Sequence, residues 1–140
     1  MRVAVIDGQG GGIGKHITEK LRRELPEDVE ILALGTNALA TSMMLKAGAN
    51  EGASGENAVV WNVHRVNLIV GPLSILIPNA MLGEVTPRMA ESIAASEAPK
   101  ILLPLLRGRI ELVGYRYEPL PHLIDELVGR VRDSICSLDR

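Results

Sequence analysis

Val3-Ala4-Val5-Ile6-Asp7-Gly8-Gln9-Gly10-Gly11-Gly12-Ile13-Gly14-Lys15 decides the fold: an apolar run, then five glycines within seven residues. The stretch continues into an amphipathic segment that repeats Ile13, Ile17, Leu21 and Leu25 at helical spacing. Strand, glycine loop and helix in that order set a row of backbone N–H groups at a helix N-terminus, where an anion is stabilised. Glycine is the residue that lets a backbone approach a phosphate closely and take positive φ without steric cost. The expectation is a binding site for a phosphorylated ligand, gripped by main-chain amides between Gly8 and Gly14.

Beyond this segment, strand-like runs alternate with helical periodicity, which predicts an α/β domain built on a parallel sheet. Proline stops the first helix near Leu25-Pro26, and Val29–Leu34 reads as the second strand. Thr36 or Asn37 caps a helix to about Lys46, with Gly48 as its stop. Glu51–Ala53 forms a short third strand, and Val59, Val63 and Val66 lie at helical spacing after a cap at Ser54 or Gly55. Leu68–Val70 is the fourth strand, followed by a loop broken by Pro78, Asn79 and Gly83 with one helical turn. Thr86-Pro87 starts a helix with Met89, Ile93 and Ala94 facing inward. Lys100–Leu103 is the fifth strand, and Arg107-Gly108-Arg109 turns into a sixth, Ile110–Gly114, which a connection this short makes antiparallel. A last helix, about Pro121–Ile135, buries Leu123, Leu127, Val131 and Ile135. The predicted architecture is one Rossmann-like three-layer sandwich over residues 1–140, mainly parallel with an antiparallel edge hairpin.

Composition narrows the partners. With 15 basic and 17 acidic residues interspersed, nothing in the charge favours nucleic acid or an anionic membrane. The chain has no phenylalanine, one tryptophan and two tyrosines, too few to stack bases or a flavin ring. The longest apolar stretch, Leu68–Leu82, is interrupted by Gly71, Pro72, Pro78 and Asn79 and is too short to span a bilayer. Met1-Arg2 leads straight into a strand, without space for a signal peptide, and the single Cys136 excludes an intrachain disulfide or a cysteine zinc site. A reduced, cytoplasmic protein is expected.

Right-handed crossovers make the first and fourth strands neighbours where the strand order reverses, and a crevice opens there at their C-terminal ends. Its expected walls are the glycine loop (Asp7, Gly8, Gln9, Gly10, Gly11, Gly12, Ile13, Gly14), then Thr36 and Asn37, then Gly71, Pro72 and Ser74, with Asn79 beyond. An NAD(P) or another nucleotide is the class of cofactor that such a crevice takes. The ordinary dinucleotide spacing from Gly8 fails, because its third glycine falls on Ile13; Gly8, Gly12 and Gly14 instead resemble the spacing of short-chain dehydrogenases. The second strand ends Ala33-Leu34-Gly35-Thr36-Asn37, with neither an acid for ribose hydroxyls nor an arginine for a 2′-phosphate. No Tyr-x-x-x-Lys pair follows at Tyr115 or Tyr117, which argues against hydride transfer. Gly11-Gly12-Ile13-Gly14-Lys15 resembles the loop of ParA-type ATPases, but His16 replaces the hydroxyl that would hold magnesium. Lys15 and His16 read more simply as solvated first-turn residues.

Asp7 stands where a carboxylate would repel a pyrophosphate. It can accept from the loop amides as an internal anion, or hold a bridging cation; a lone carboxylate makes a poor cation site, which favours the first role. His16, His64 and His122 lie on different elements without metal-ligand spacing, Ser74 has no local base, and no nucleophile–base or carboxylate pair emerges.

Two resemblances add to this reading. Through Ala4–Lys15, Ala33–Ser42 and Gly52–Ala58 the chain is identified as a member of a small bacterial group, domain-of-unknown-function family 3842, which implies a Rossmann-like fold. Gly71-Pro72-Leu73-Ser74 with Asn79, then Ala90–Ile101, is similar to the phospholactate transferase and gluconeogenesis-factor superfamily. That likeness implies a nucleotide or nucleotide-sugar site; it departs at Leu73, where that family has glycine, and at Ile13, where it has threonine. Three functional expectations result. The first is a binding module for a phosphorylated small molecule. The second is a minimal transferase or phosphohydrolase completed by a partner. The third is an interaction protein with a structural glycine loop, whose Leu73–Leu82 segment docks a partner or a second copy in a homo-oligomer.

Overall fold

The computed structural model describes residues 1–106 and 108–138. Five strands, β1 (Arg2–Asp7), β2 (Glu30–Gly35), β3 (Glu51–Ser54), β4 (Leu68–Pro72) and β5 (Lys100–Leu103), form one parallel sheet in the order β3-β2-β1-β4-β5. Val3 pairs with both Ile31 and Leu68, so β1 is the central strand. Helices α1 (Gly12–Glu24), α2 (Ala38–Lys46), α3 (Glu56–Asn62), α4 (Pro87–Ala95) and α5 (Leu120–Leu138) connect and follow the strands, with a 3-10 turn at Leu73–Leu76.

The alternation of strand side chains splits the interior into two cores. Val3 and Val5 face α1, α2 and α5, where Ile17, Leu21, Met44 and Val128 are fully buried. Ala4 and Ile6 face α3 and α4, against Val59, Val63 and Ile93. Each buried Val, Leu, Ile or Met side chain contributes about 1.5–3 kcal/mol by leaving water. Right-handed crossovers explain the sides: two steps outward from β1 put α1 and α2 on one face, and the return to β4 puts α3 and α4 on the other. The Rossmann-like α/β expectation holds, and no helix among the described residues is long and apolar enough to cross a membrane.

The expected antiparallel edge hairpin does not form. Residues 108–119 contain no strand, and Val113 and Tyr117 lie open to solvent; Arg107, in the expected turn, is outside the described residues. β5 ends at Leu103, followed by Pro104, which lacks the N–H that a longer ladder requires, and the Ile110–Gly114 segment is exposed. In α4, Ala94 is exposed and Ala90 is buried instead. The Thr86 hydroxyl accepts the Met89 N–H at 3.1 Å, which fixes the helix phase and leaves Ala94 past the edge of the stripe. α5 is longer than its predicted span and adds Ile124 and Val128 to the apolar face.

Candidate functional site

β1 ends at Asp7, beside the Gly35 end of β2, and the chain turns through Gly8–Gly11 into α1. Gln9 and Gly11 take positive φ, 50° and 74°, and the Gly11 N–H returns to the Gly8 carbonyl at 2.9 Å. Three of the loop glycines are required by contact, Gly8 among them, where a Cβ would collide with the Thr36 Oγ1. A Cβ on Gly11 would lie 2.8 Å from the Ala40 Cα, and one on Gly14 would lie 2.6 Å from the Met44 sulfur and 2.8 Å from the Asp7 Cβ. Gly14 thus seats α1 against β1 and α2, while Gly10 and Gly12 face open space.

Asp7 is beneath the loop, 3% exposed, and its Oδ2 accepts the Gly14 N–H at 2.7 Å. Burial pushes its carboxyl above the ordinary range; the amides of Gly14 and Gly8 oppose this, and the charge of Glu84 adds to it. The innermost amide of the loop is therefore satisfied from within the chain. Among the described residues, the N–H groups of Gly10, Gly12 and Ile13 have no protein acceptor and form the outer rim at the α1 N-terminus.

Over the start of the loop stands Glu84, a residue that nothing in the sequence pattern singles out. Its Oε1 accepts from the Gln9 N–H at 2.8 Å, the Thr36 hydroxyl at 2.7 Å and the Asn37 Nδ2 at 2.7 Å. The Thr36 hydroxyl is the foremost cause holding its carboxyl below the ordinary range; partial burial opposes this, and the Gln9 and Asn37 donors assist. Asn37 also caps α2 through the Ala40 N–H at 2.8 Å and donates to the Gln9 carbonyl at 3.0 Å. Thr36, the other expected cap, belongs instead to the Glu84 cluster.

Glu84 arrives on a strap that turns through positive φ at Asn79, Met81, Leu82 and Gly83. The Asn79 N–H bonds to the Val85 carbonyl at 2.7 Å and the Gly83 N–H to the Asn79 carbonyl at 3.0 Å, so the strap closes on itself. It lays the Met81 sulfur over Gly8, 2.7 Å from where a Cβ would be. Leu76, Ala80 and Met81 pack onto the α3–α4 core, and only Leu82 stands fully clear, so the 73–82 segment is largely spent inward. The signal for this strap was Asn79 and Gly83, two residues that tolerate left-handed backbone.

Of the remaining expected wall residues, Gly71 and Pro72 are buried in β4, and a Cβ on Gly71 would collide with the Ile6 carbonyl oxygen. Ser74 is half-buried in the 3-10 turn, and Asn79 is exposed on the strap. His16, His64, His122 and Cys136 are all exposed. Among the described residues, no three His, Cys, Asp or Glu side chains gather as a metal site. A separate cleft lies away from the loop, between β5, residues 114–118 and α5.

The chain belongs to the family described as Domain of unknown function (DUF3842), which matches residues 2–136. No functionally curated protein matches it. Among solved structures, it is similar to a dodecameric FMN-dependent UbiX-like decarboxylase from Escherichia coli O157:H7. The identity is 11% and the TM-score 0.47, over 96% of this chain and 94% of that one.

Proposed function

We propose that the crevice binds a nucleotide, dinucleotide or nucleotide-sugar, NAD(P) being one such ligand, with its phosphates on the N–H groups of Gly10, Gly12 and Ile13. The observation that carries this reading is the set of three unpaired amides at the N-terminus of a 13-residue helix, beside the point where the strand order reverses. Asp7, Gly11 and Gly14 shape the loop from below, and the ligand touches only its outer rim. Half-buried Lys15 lies in the first turn, close enough in sequence to add charge to a bound phosphate. The likeness of Gly71–Ser74 and Ala90–Ile101 to phospholactate transferases favours the same ligand class. We assign binding, and no reaction.

Thermal unfolding of the full chain against ADP, NAD, NADP and UDP-glucose tests this. A binding ligand stabilises by about 2.7 kcal/mol at a hundred times its dissociation constant, and the midpoint rises with concentration. Unmoved midpoints across the whole panel would overturn the proposal.

A further inference from the structure

We infer that Glu84 is a specificity-determining residue of the crevice: it accepts a hydroxyl of a ligand's ribose and turns away ligands phosphorylated at that hydroxyl. The inference rests on the nucleotide-binding reading above and narrows it to ligands with a free ribose diol.

A dinucleotide crevice of this topology needs an acceptor for ribose hydroxyls at the C-terminal end of the second strand. Here that end reads Gly35-Thr36-Asn37, without an acid. The structure delivers a carboxylate to the same place from the far side of the strand-order reversal. Glu84 is 48 residues from Thr36 in sequence, yet its Oε1 is fixed there by Thr36, Asn37 and the Gln9 amide.

The second carboxylate oxygen carries the inference. Oε2 has no protein donor, whereas no buried side-chain oxygen or nitrogen among the described residues lacks a partner. Oε2 is therefore not sealed from solvent, while its partner oxygen is held against Gln9, Thr36 and Asn37. An ionised carboxylate only accepts, so this oxygen suits a hydroxyl and opposes a phosphate. The three donors on Oε1 hold the group in one orientation, which gives the discrimination its geometry.

The test titrates ADP, 2′-deoxy-ADP and 2′-phospho-ADP into the full wild-type chain and into E84Q, followed by calorimetry. Wild type is expected to favour ADP over each of the other two by on the order of ten-fold. E84Q removes the charge, keeps an acceptor oxygen, and is expected to narrow the gap between ADP and 2′-phospho-ADP. Equal binding of all three by wild type overturns the inference, and so does an unchanged ratio in E84Q. A uniform gain by E84Q for all three and for inorganic phosphate also overturns it, since Glu84 would then be a resident anion competing for the loop. The wild-type ratios do not depend on how well the variant folds. Failure of all three to bind removes the inference, while the broader reading is decided separately by the melting panel.

Discussion

The Gly14 N–H donates to the Asp7 carboxylate at 2.7 Å, joining the last residue of β1 to the first turn of α1. This bond makes the glycine loop a self-supported structure before any ligand arrives.

Asp7→Ala leaves the buried Gly14 amide without an acceptor, a loss of about 1–3 kcal/mol. Asp7→Asn keeps one oxygen for that amide and recovers part of the loss. Urea unfolding of the three proteins checks this order, and equal midpoints for Asp7→Ala and wild type would refute it. The pH dependence adds a second readout. Because the folded chain raises the Asp7 pKa, the folded state holds this proton more tightly than the unfolded one. The stability contributed by Asp7 is complete below its ordinary pKa and declines as pH rises through the raised value. Relative to Asp7→Asn, wild type therefore loses ground between acid and neutral pH. Glu84, whose pKa is lowered, behaves oppositely: its contribution is present above the ordinary value and disappears as pH falls through the lowered one.

The glycines divide by function. Gly71→Ala, which drives a methyl into the Ile6 carbonyl, and Gly14→Ala, which meets Met44 and Asp7, are expected to cost roughly 2–4 kcal/mol each. Gly10→Ala and Gly12→Ala point into open space, and their unfolding midpoints should stay within about 1 kcal/mol of wild type. Loss of ligand stabilisation in these two soundly folded variants would locate the contact on the outer rim; normal binding in both would remove the rim from the site.

Asn37 and Thr86 both cap helices, but their replacements by alanine should differ. Thr86→Ala loses the bond to the Met89 amide alone, about 1 kcal/mol. Asn37→Ala loses the α2 cap and also the bonds to Gln9 and Glu84. Its loss should exceed that of Thr86→Ala by about 1 kcal/mol or more. Chemical denaturation of the pair measures the difference, and a smaller loss for Asn37→Ala would contradict the network.

Leu82 is 99% exposed at φ 55°, a left-handed conformation that an L side chain adopts at a cost of roughly 1–2 kcal/mol. Leu82→Gly removes that strain without uncovering any core. After glycine's larger unfolded-state entropy is offset, a gain of up to about 1 kcal/mol is expected by thermal unfolding. A clear destabilisation would show that the leucine side chain has a role in the strap.

Most of the fold was legible because its signals are local. β5 has its predicted bounds at Lys100–Leu103, and Asn37 and Thr86 cap the helices that follow them. The composition of Ile110–Gly114 favours a strand, whereas strand formation depends on a pairing partner and a core, and this exposed segment has neither. The candidate site was legible on one side only. The glycine loop announces itself as a run, and the internal role for Asp7 follows from its position. Glu84 does not, since its place depends on four positive-φ residues, Asn79, Met81, Leu82 and Gly83, folding a distant segment back over Gly8. Nothing in the spacing of Thr36 and Glu84 reveals that contact.

The central position of β1 has a consequence for how the chain is made. This strand leaves the ribosome before the other four of the sheet, yet its backbone is held on one side by a segment synthesised much later; the Arg2 N–H bonds to the Asn67 side chain, 65 residues away. Until β4 emerges, the nascent polypeptide carries an apolar strand with one flank unpaired, and such edges invite association during synthesis. A product truncated before Leu68 lacks that flank and cannot complete the floor on which the loop rests.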